Sequence, residues 1–154
     1  MKILMVCLGN ICRSPIAEGI LRHKLKSQGI THVETDSAGT SSFHVGEAPD
    51  RRMRATAIQN GVDIEDLRAR QFVPADFDRF DLIYAMDQSN YNNIIALAQT
   101  EDEKNKVRLI LNEIEPEANK AVPDPYYGGD EGFQHVFDLL DEATNVIIEK
   151  YVKR

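Results

Sequence analysis

Apolar and polar positions along the chain switch between two spacings. Lys2 to Cys7 (KILMVC) is a short, nearly unbroken apolar run, the pattern of a strand buried on both faces. From Ser14 to Gln28 the spacing changes. Ile16, Ala17, Ile20, Leu21 and Leu25 fall on one helical stripe, with Pro15 in the first turn, Glu18 near the positive end of the dipole and Gly29 as the stop. His32 to Ser37 (HVETDS) predicts a second, more polar strand. A small-residue loop from Ala38 to Gly46 precedes a helix expected over Pro49 to Asn60, closed by Gly61. After an irregular segment, Asp81 to Met86 (DLIYAM) predicts a third strand, and Asp87 caps a helix running through Leu97. Val107 to Leu111 (VRLIL) predicts the fourth strand. Phe133, Val136, Phe137, Leu140, Ala143, Ile147 and Tyr151 then recur at helical spacing, giving a long amphipathic C-terminal helix.

Strands alternating with helices predict an α/β fold, a parallel sheet covered on both faces. No internal repeat, low-complexity tract or interdomain linker interrupts the pattern, so residues 1–154 are expected to form a single domain. In such sheets ligands bind beyond the carboxyl ends of the strands, at a topological switch point. The stretch VCLGNICRSP, residues 6–15, lies at the end of the first strand, where that point usually falls.

Charge and cysteine usage narrow the classes. The formal net charge is −7, which argues against nucleic acid as a partner, because phosphate backbones demand basic faces. No apolar run reaches the length that spans a bilayer, so no membrane partner is expected. The run from Ile3 to Leu8 stops at Gly9-Asn10, too soon for a signal peptide. Two cysteines without such a signal point to free thiols in a reducing compartment, the cytoplasm. None of the four histidines has a metal-ligand spacing, and neither metal nor cofactor is expected.

The chemistry concentrates in the first loop. Gly9 tolerates unusual backbone angles and Asn10 enters the left-handed region more readily than most residues. A loop curled by these two turns the N–H groups of Leu8, Gly9, Asn10, Ile11, Cys12 and Arg13 inward, an anion nest beside a helix N-terminus. Arg13 adds a planar fork for two phosphate oxygens, and Ser14 can donate its hydroxyl to a thiolate or cap the helix. Cys7, at the base, sits among positive dipoles that favour a thiolate nucleophile. A thiolate, N–H donors and a guanidinium suggest phosphoryl transfer through a cysteinyl phosphate. The alternative is an ordinary strand-to-helix loop with incidental buried thiols. A leaving alcohol or phenol also needs a proton donor. Asp124, between two prolines in VPDPYYGG, is either that acid or a plain turn aspartate. Tyr126 and Tyr127 beside it can wall an aromatic slot.

CLGNICRS together with a distant DPYY, and with TDSAGT and AMDQSN between them, resembles the low-molecular-weight protein tyrosine phosphatases nearly end to end. The resemblance implies a three-layer sandwich on a four-stranded parallel sheet ordered 2-1-3-4. By similarity Cys7 is the nucleophile, Arg13 the phosphate clamp, Ser14 the thiolate stabiliser and Asp124 the general acid and later base. Asn10 and Ser37 resemble the pair that braces the loop, and Asp87 the acid that orients Arg13. Phe43, Tyr126 and Tyr127 resemble the substrate rim. The implied partner is a tyrosine-phosphorylated protein; exposed rim tyrosines can support weak self-association of what is otherwise a monomer. Where relatives often carry histidine, this chain has Leu67 in LRARQ. The bracing of Asn10 is then open, with His44 able to substitute if its loop folds inward. Arsenate reduction on this scaffold requires cysteines beyond Cys12, and there are none. Arginine phosphatase activity is implied more by threonine than by Ile11 in the loop. A non-catalytic phosphate-binding module would need the cradle without Asp124. Cys7 and Cys12, close in one loop, also suggest a redox pair.

Overall fold

Parallel pairing organises the chain, as a computed structural model covering residues 1–153 shows. Strands β1 (Lys2–Cys7), β2 (Glu34–Gly39), β3 (Leu82–Ala85) and β4 (Val107–Leu109) form one sheet in the order β2-β1-β3-β4. Helices α1 (Arg13–Ser27), α2 (Arg51–Gln59) and α6 (Glu131–Ile147) cover one face; α3 (Asp76–Arg79) and α4 (Gln88–Ile95) cover the other. The alternation along β1 explains its near-continuous apolar run: Ile3, Met5 and Cys7 face the first layer, Leu4 and Val6 the second.

β1 is hydrogen-bonded to β2 on one side and β3 on the other. The chain leaves it towards β2 first and crosses to β3 later, so the order reverses beside Cys7. The carboxyl end of β1 is therefore the switch point of the sheet.

Several boundaries differ from those the spacing predicts. β2 starts at Glu34 rather than His32 and runs on to Gly39, because its register pairs Lys2 with Glu34 and Cys7 with Gly39. A Cβ on Gly39 would lie 2.7 Å from the Leu8 carbonyl oxygen, so only glycine lets β2 pass this close to the loop. β4 ends at Leu109, opposite Ala85, the last residue of β3, and with no partner beyond it Ile110–Glu113 turns into a 3₁₀ helix. α5 (Glu101–Asn105) buries no residue, so it has no apolar stripe to announce it; a Thr100–Glu103 capping box holds its start. α3 spans a single turn inside the segment expected to be irregular. Past α6 the chain continues as a π-helical turn, Ile148–Val152, which carries Tyr151.

Candidate active site

The segment between β1 and α1 curls because its carbonyls are claimed from outside. The amides of Thr40, Ser41 and Asp50 donate to the carbonyls of Cys7, Leu8 and Ile11 at 2.9, 3.0 and 2.8 Å. Asn10 makes the turn with φ +56°, in the left-handed region. Its own N–H points inward and lies 3.3 Å from the Cys7 sulfur. The Ser14 hydroxyl approaches the same sulfur at 3.0 Å. Cys7 is buried, at the floor of a cavity of about 440 Å³ that opens beyond the strand ends.

Arg13 enters this cavity from the first turn of α1 and is only 3% exposed. One guanidinium nitrogen donates to Asp87 at 2.7 Å and to the Val122 carbonyl at 3.2 Å; the other lies 3.7 Å from Asp124. Burial disfavours its charge, but the Cys7 sulfur, Asp87 and Asp124 outweigh that cost and raise its affinity for the proton further. Asp87 holds two posts at once. Its second carboxylate oxygen accepts the Asn90 amide at 2.8 Å and caps α4. Asp124 likewise makes a turn bond, accepting the Tyr126 amide at 3.1 Å, while lining the cavity partly exposed.

Behind the loop lies a buried chain of hydrogen bonds. The Asn10 side-chain amide donates to Ser14 at 2.8 Å and to Ser37 at 2.9 Å, and its oxygen accepts the Arg70 backbone amide at 3.0 Å. The Ser37 hydroxyl donates in turn to Glu18 at 2.8 Å. Burial drives the Glu18 carboxyl up to about 7, with Asp36 and Asp66 adding to the effect and Ser37 and Arg22 opposing it.

The mouth is aromatic. Phe43 is 83% exposed and Tyr127 91%, while Tyr126 is half-buried between them and the wall. Arg52 fixes Tyr126, donating to its carbonyl at 2.9 Å with the guanidinium carbon 5.6 Å from its ring. Cys12 is a free, buried thiol; burial first, then Asp50, Cys7 and Asp124, pushes it far above the ordinary thiol range. Among the described residues no group of three or more His, Cys, Asp or Glu side chains is placed to hold a metal ion.

Cys7, Arg13, Asp124, Phe43, Tyr126 and Tyr127 thus line one cavity, with Leu8, Gly9, Ile11 and Cys12. Ser14, Ser37 and Asp87 stand behind it. The question left open at Leu67 has an answer in the geometry. Asn10 is braced without an imidazole, because the Arg70 backbone takes its oxygen, while Leu67 packs against the hydrophobic core. His44 does fold in, with a ring carbon 3.0 Å from where a Cβ on Gly9 would sit, but its Nδ1 pairs with Glu47 at 2.9 Å rather than with Asn10. Arg70, Val122 and Arg52 escaped the sequence reading. The first two act here through main-chain atoms, which leave no residue-type signal. Glu18 was visible only as a charge near a helix start.

The profile of the low molecular weight phosphotyrosine protein phosphatases matches residues 2–154. The chain is 51% identical, over 96% of its length and 94% of the relative's, to a Synechocystis sp. protein assigned to the low molecular weight protein-tyrosine-phosphatases. It is similar to the crystal structure of a protein tyrosine phosphatase from Entamoeba histolytica with Hepes in the active site, at TM-score 0.91 and 40% identity, covering 97% and 96% of the two chains. A Drosophila arginine phosphatase superposes with TM-score 0.91 at 32% identity, covering 99% of each chain.

Proposed function

The chain belongs to the low molecular weight phosphotyrosine protein phosphatase family and is a protein tyrosine phosphatase, and from that premise we propose how its residues divide the reaction. The Cys7 thiolate attacks the phosphorus of a phosphotyrosine side chain, forming an S–P bond as the P–O bond to the phenol breaks. Arg13 and the inward N–H groups from Leu8 to Arg13 hold the phosphoryl oxygens while charge spreads over them. Asp124 gives its proton to the departing phenolate oxygen. With the phenol gone, the same carboxylate takes a proton from water, which attacks phosphorus and returns Cys7 as thiolate with release of phosphate. Ser14 and the Asn10 amide stabilise that thiolate as donors. Asp87 orients Arg13, Ser37 braces Asn10, and Phe43, Tyr126 and Tyr127 flank the aryl ring.

The observation that carries this division is the meeting, on one cavity, of Cys7 and Arg13 from the two ends of one loop with Asp124 from a loop distant in sequence. No metal or cofactor enters the scheme. The substrate is a tyrosine-phosphorylated protein, met in the cytoplasm, where two free thiols persist; the enzyme acts as a monomer or a weakly associating one. Cys7→Ser abolishes hydrolysis of an aryl phosphate. Asp124→Ala slows it by about 10²–10⁴-fold for poor leaving groups and much less for good ones. Full turnover by the Cys7 variant would sink the scheme.

Cys12 serves as a redox guard in this reading. Peroxide converts the Cys7 thiolate to a sulfenic acid, releasing hydroxide; the sulfenic oxygen then takes the Cys12 proton as the Cys12 sulfur attacks, and water leaves as the disulfide forms. Mass spectrometry after brief peroxide should find the Cys7–Cys12 link, reversible by thiol; irreversible Cys7 oxidation alone would count against it. A second reading, arginine phosphatase activity, is favoured by the likeness to the Drosophila structure. Ile11, buried at the cavity wall, favours the aryl substrate. Faster turnover of a phosphoarginine peptide than of a phosphotyrosine peptide would reverse that choice.

A further inference from the structure

Glu18 is a carboxyl with no obvious employment. It is 5% exposed and makes no ion pair among the described residues. Arg22, one turn along α1, is turned away and forks onto Asp66 at 2.9 and 2.8 Å. Arg70, on the segment behind the loop, is spent on Asp36 and Asp76. The charged groups acting on Glu18 are therefore Asp36 from β2, Arg22 from its own helix and Asp66 from the turn before Leu67. Two of the three are anions, and the one cation is already paired. A buried carboxylate in such company is costly.

What Glu18 does touch leads to Cys7. Four links join them: Glu18 to Ser37 at 2.8 Å, Ser37 to Asn10 at 2.9 Å, Asn10 to Ser14 at 2.8 Å, and Ser14 to the Cys7 sulfur at 3.0 Å. The amide nitrogen at the centre has two hydrogens and each serine has one, so four protons fill four links. Every donor then points outward from Asn10, and both ends must be acceptors. A carboxylate at one end and a thiolate at the other satisfy the count.

We infer that ionised Glu18 is a positioning residue for the reaction at Cys7, acting through Ser37, Asn10 and Ser14; the inference rests on Cys7 being the nucleophile. Protonation turns the charge-assisted bond from Ser37 to Glu18 into a neutral one about half as strong, or removes it where the proton sits on the oxygen that faces Ser37. Ser37 can still accept from Asn10, but it is held less firmly from behind. The amide is then less firmly placed, and Ser14 has somewhere else to turn: the Ala38 carbonyl lies 3.4 Å from its hydroxyl. Ser14 swinging to Ala38 deprives the Cys7 sulfur of its hydroxyl donor. Neutral Glu18 thus relaxes the donors around Cys7, and ionised Glu18 aligns them. The carboxyl's titration near about 7 places the change within reach of ordinary assay conditions.

The test reads Cys7 directly rather than turnover. The rate of Cys7 alkylation by iodoacetamide, assigned by peptide mass, is followed against pH in wild type, Glu18→Gln and Ser37→Ala. Glutamine keeps the shape and hydrogen-bonding pattern of the protonated acid but cannot ionise, and alanine cuts the chain while leaving Glu18 in place. Wild type is expected to show a rise in rate centred near about 7. Both variants lose that rise, and at about pH 8 each reacts about two- to tenfold more slowly, the worth of one hydrogen bond. The double variant is no slower than either single one, as expected for residues in one series. Superposable profiles for wild type and the variants would overturn the inference, as would fully additive losses. Should Glu18→Gln fail to fold, Ser37→Ala alone decides between a lost and a retained rise. Alkylation needs no substrate, so a failure here is distinct from a failure of Cys7→Ser to abolish hydrolysis.

Discussion

On its open face the loop from Leu8 to Arg13 carries, in the reading proposed above, N–H groups and a guanidinium for an anion that arrives and leaves. On its buried face the same loop hangs Asn10 between two serines and ends on Glu18, a carboxyl built into the fold. At the front the cation is paired: Arg13 lies against Asp87 and Asp124, so the guanidinium is held in place before any phosphate comes. At the back Glu18 has no such partner, since Asp36 and Asp66 act on it and Arg22 is engaged elsewhere. Binding is thus left to a paired cation, while shape is left to hydroxyls and an amide, whose fields fall off quickly. A loop braced by charges would carry their fields into the cavity; this one carries mainly hydrogen-bond direction.

Breaking the front should give the largest effect. Arg13→Lys keeps the charge but loses the fork that reaches Asp87, Val122 and a phosphoryl group together. A fall of about 10²–10³-fold in kcat/KM for an aryl phosphate is expected, the usual cost of a lost transition-state donor. Breaking the back should cost less activity and more stability. Asn10→Ala removes three side-chain bonds and leaves alanine at φ +56°. At about 1 kcal/mol per bond and about 1 for the backbone, the loss is about 3–4 kcal/mol, against about 10-fold in kcat/KM. Calorimetry beside steady-state kinetics checks both variants. If Arg13→Lys lowered the melting temperature as far as Asn10→Ala, the two faces would not be separable in this way.

How much of this could be read from the letters follows the same division. The sheet was legible because β1 has an unmistakable apolar run, and the front because Cys7, Asn10 and Arg13 stand within seven positions of one another, from 7 to 13. Asp124 needed the resemblance as well, since a turn aspartate looks the same and the Tyr126 amide shows that it is one. The back was mostly hidden. Arg70 braces Asn10 with a backbone N–H, which any residue but proline supplies, so the question that Leu67 left open could not be answered from residue types. Glu18 hid behind its helix position: near the start of α1, a glutamate reads as a favourable exposed charge until β2 is laid over it.

The smallest expected effect is also the one that most sharpens the contrast, because it makes the protein more stable. Glu18 ionises in the folded chain near about 7, against 4.5 for the ordinary carboxyl. Below the lower value both folded and unfolded chains hold the proton, and Glu18 costs nothing. Between the two the unfolded chain ionises first, so native stability falls as pH rises, and above the upper value the full cost stands. That cost is about 3 kcal/mol if the whole shift is kept. Glu18→Gln removes the ionisation but keeps an acceptor for Ser37, so it should melt higher than wild type at about pH 8, by several degrees for a domain of this size. The gap should close towards about pH 5. Equal melting temperatures at both pH values would mean that Glu18 stays neutral in the fold, and the carboxylate end of the chain behind Cys7 would go with it.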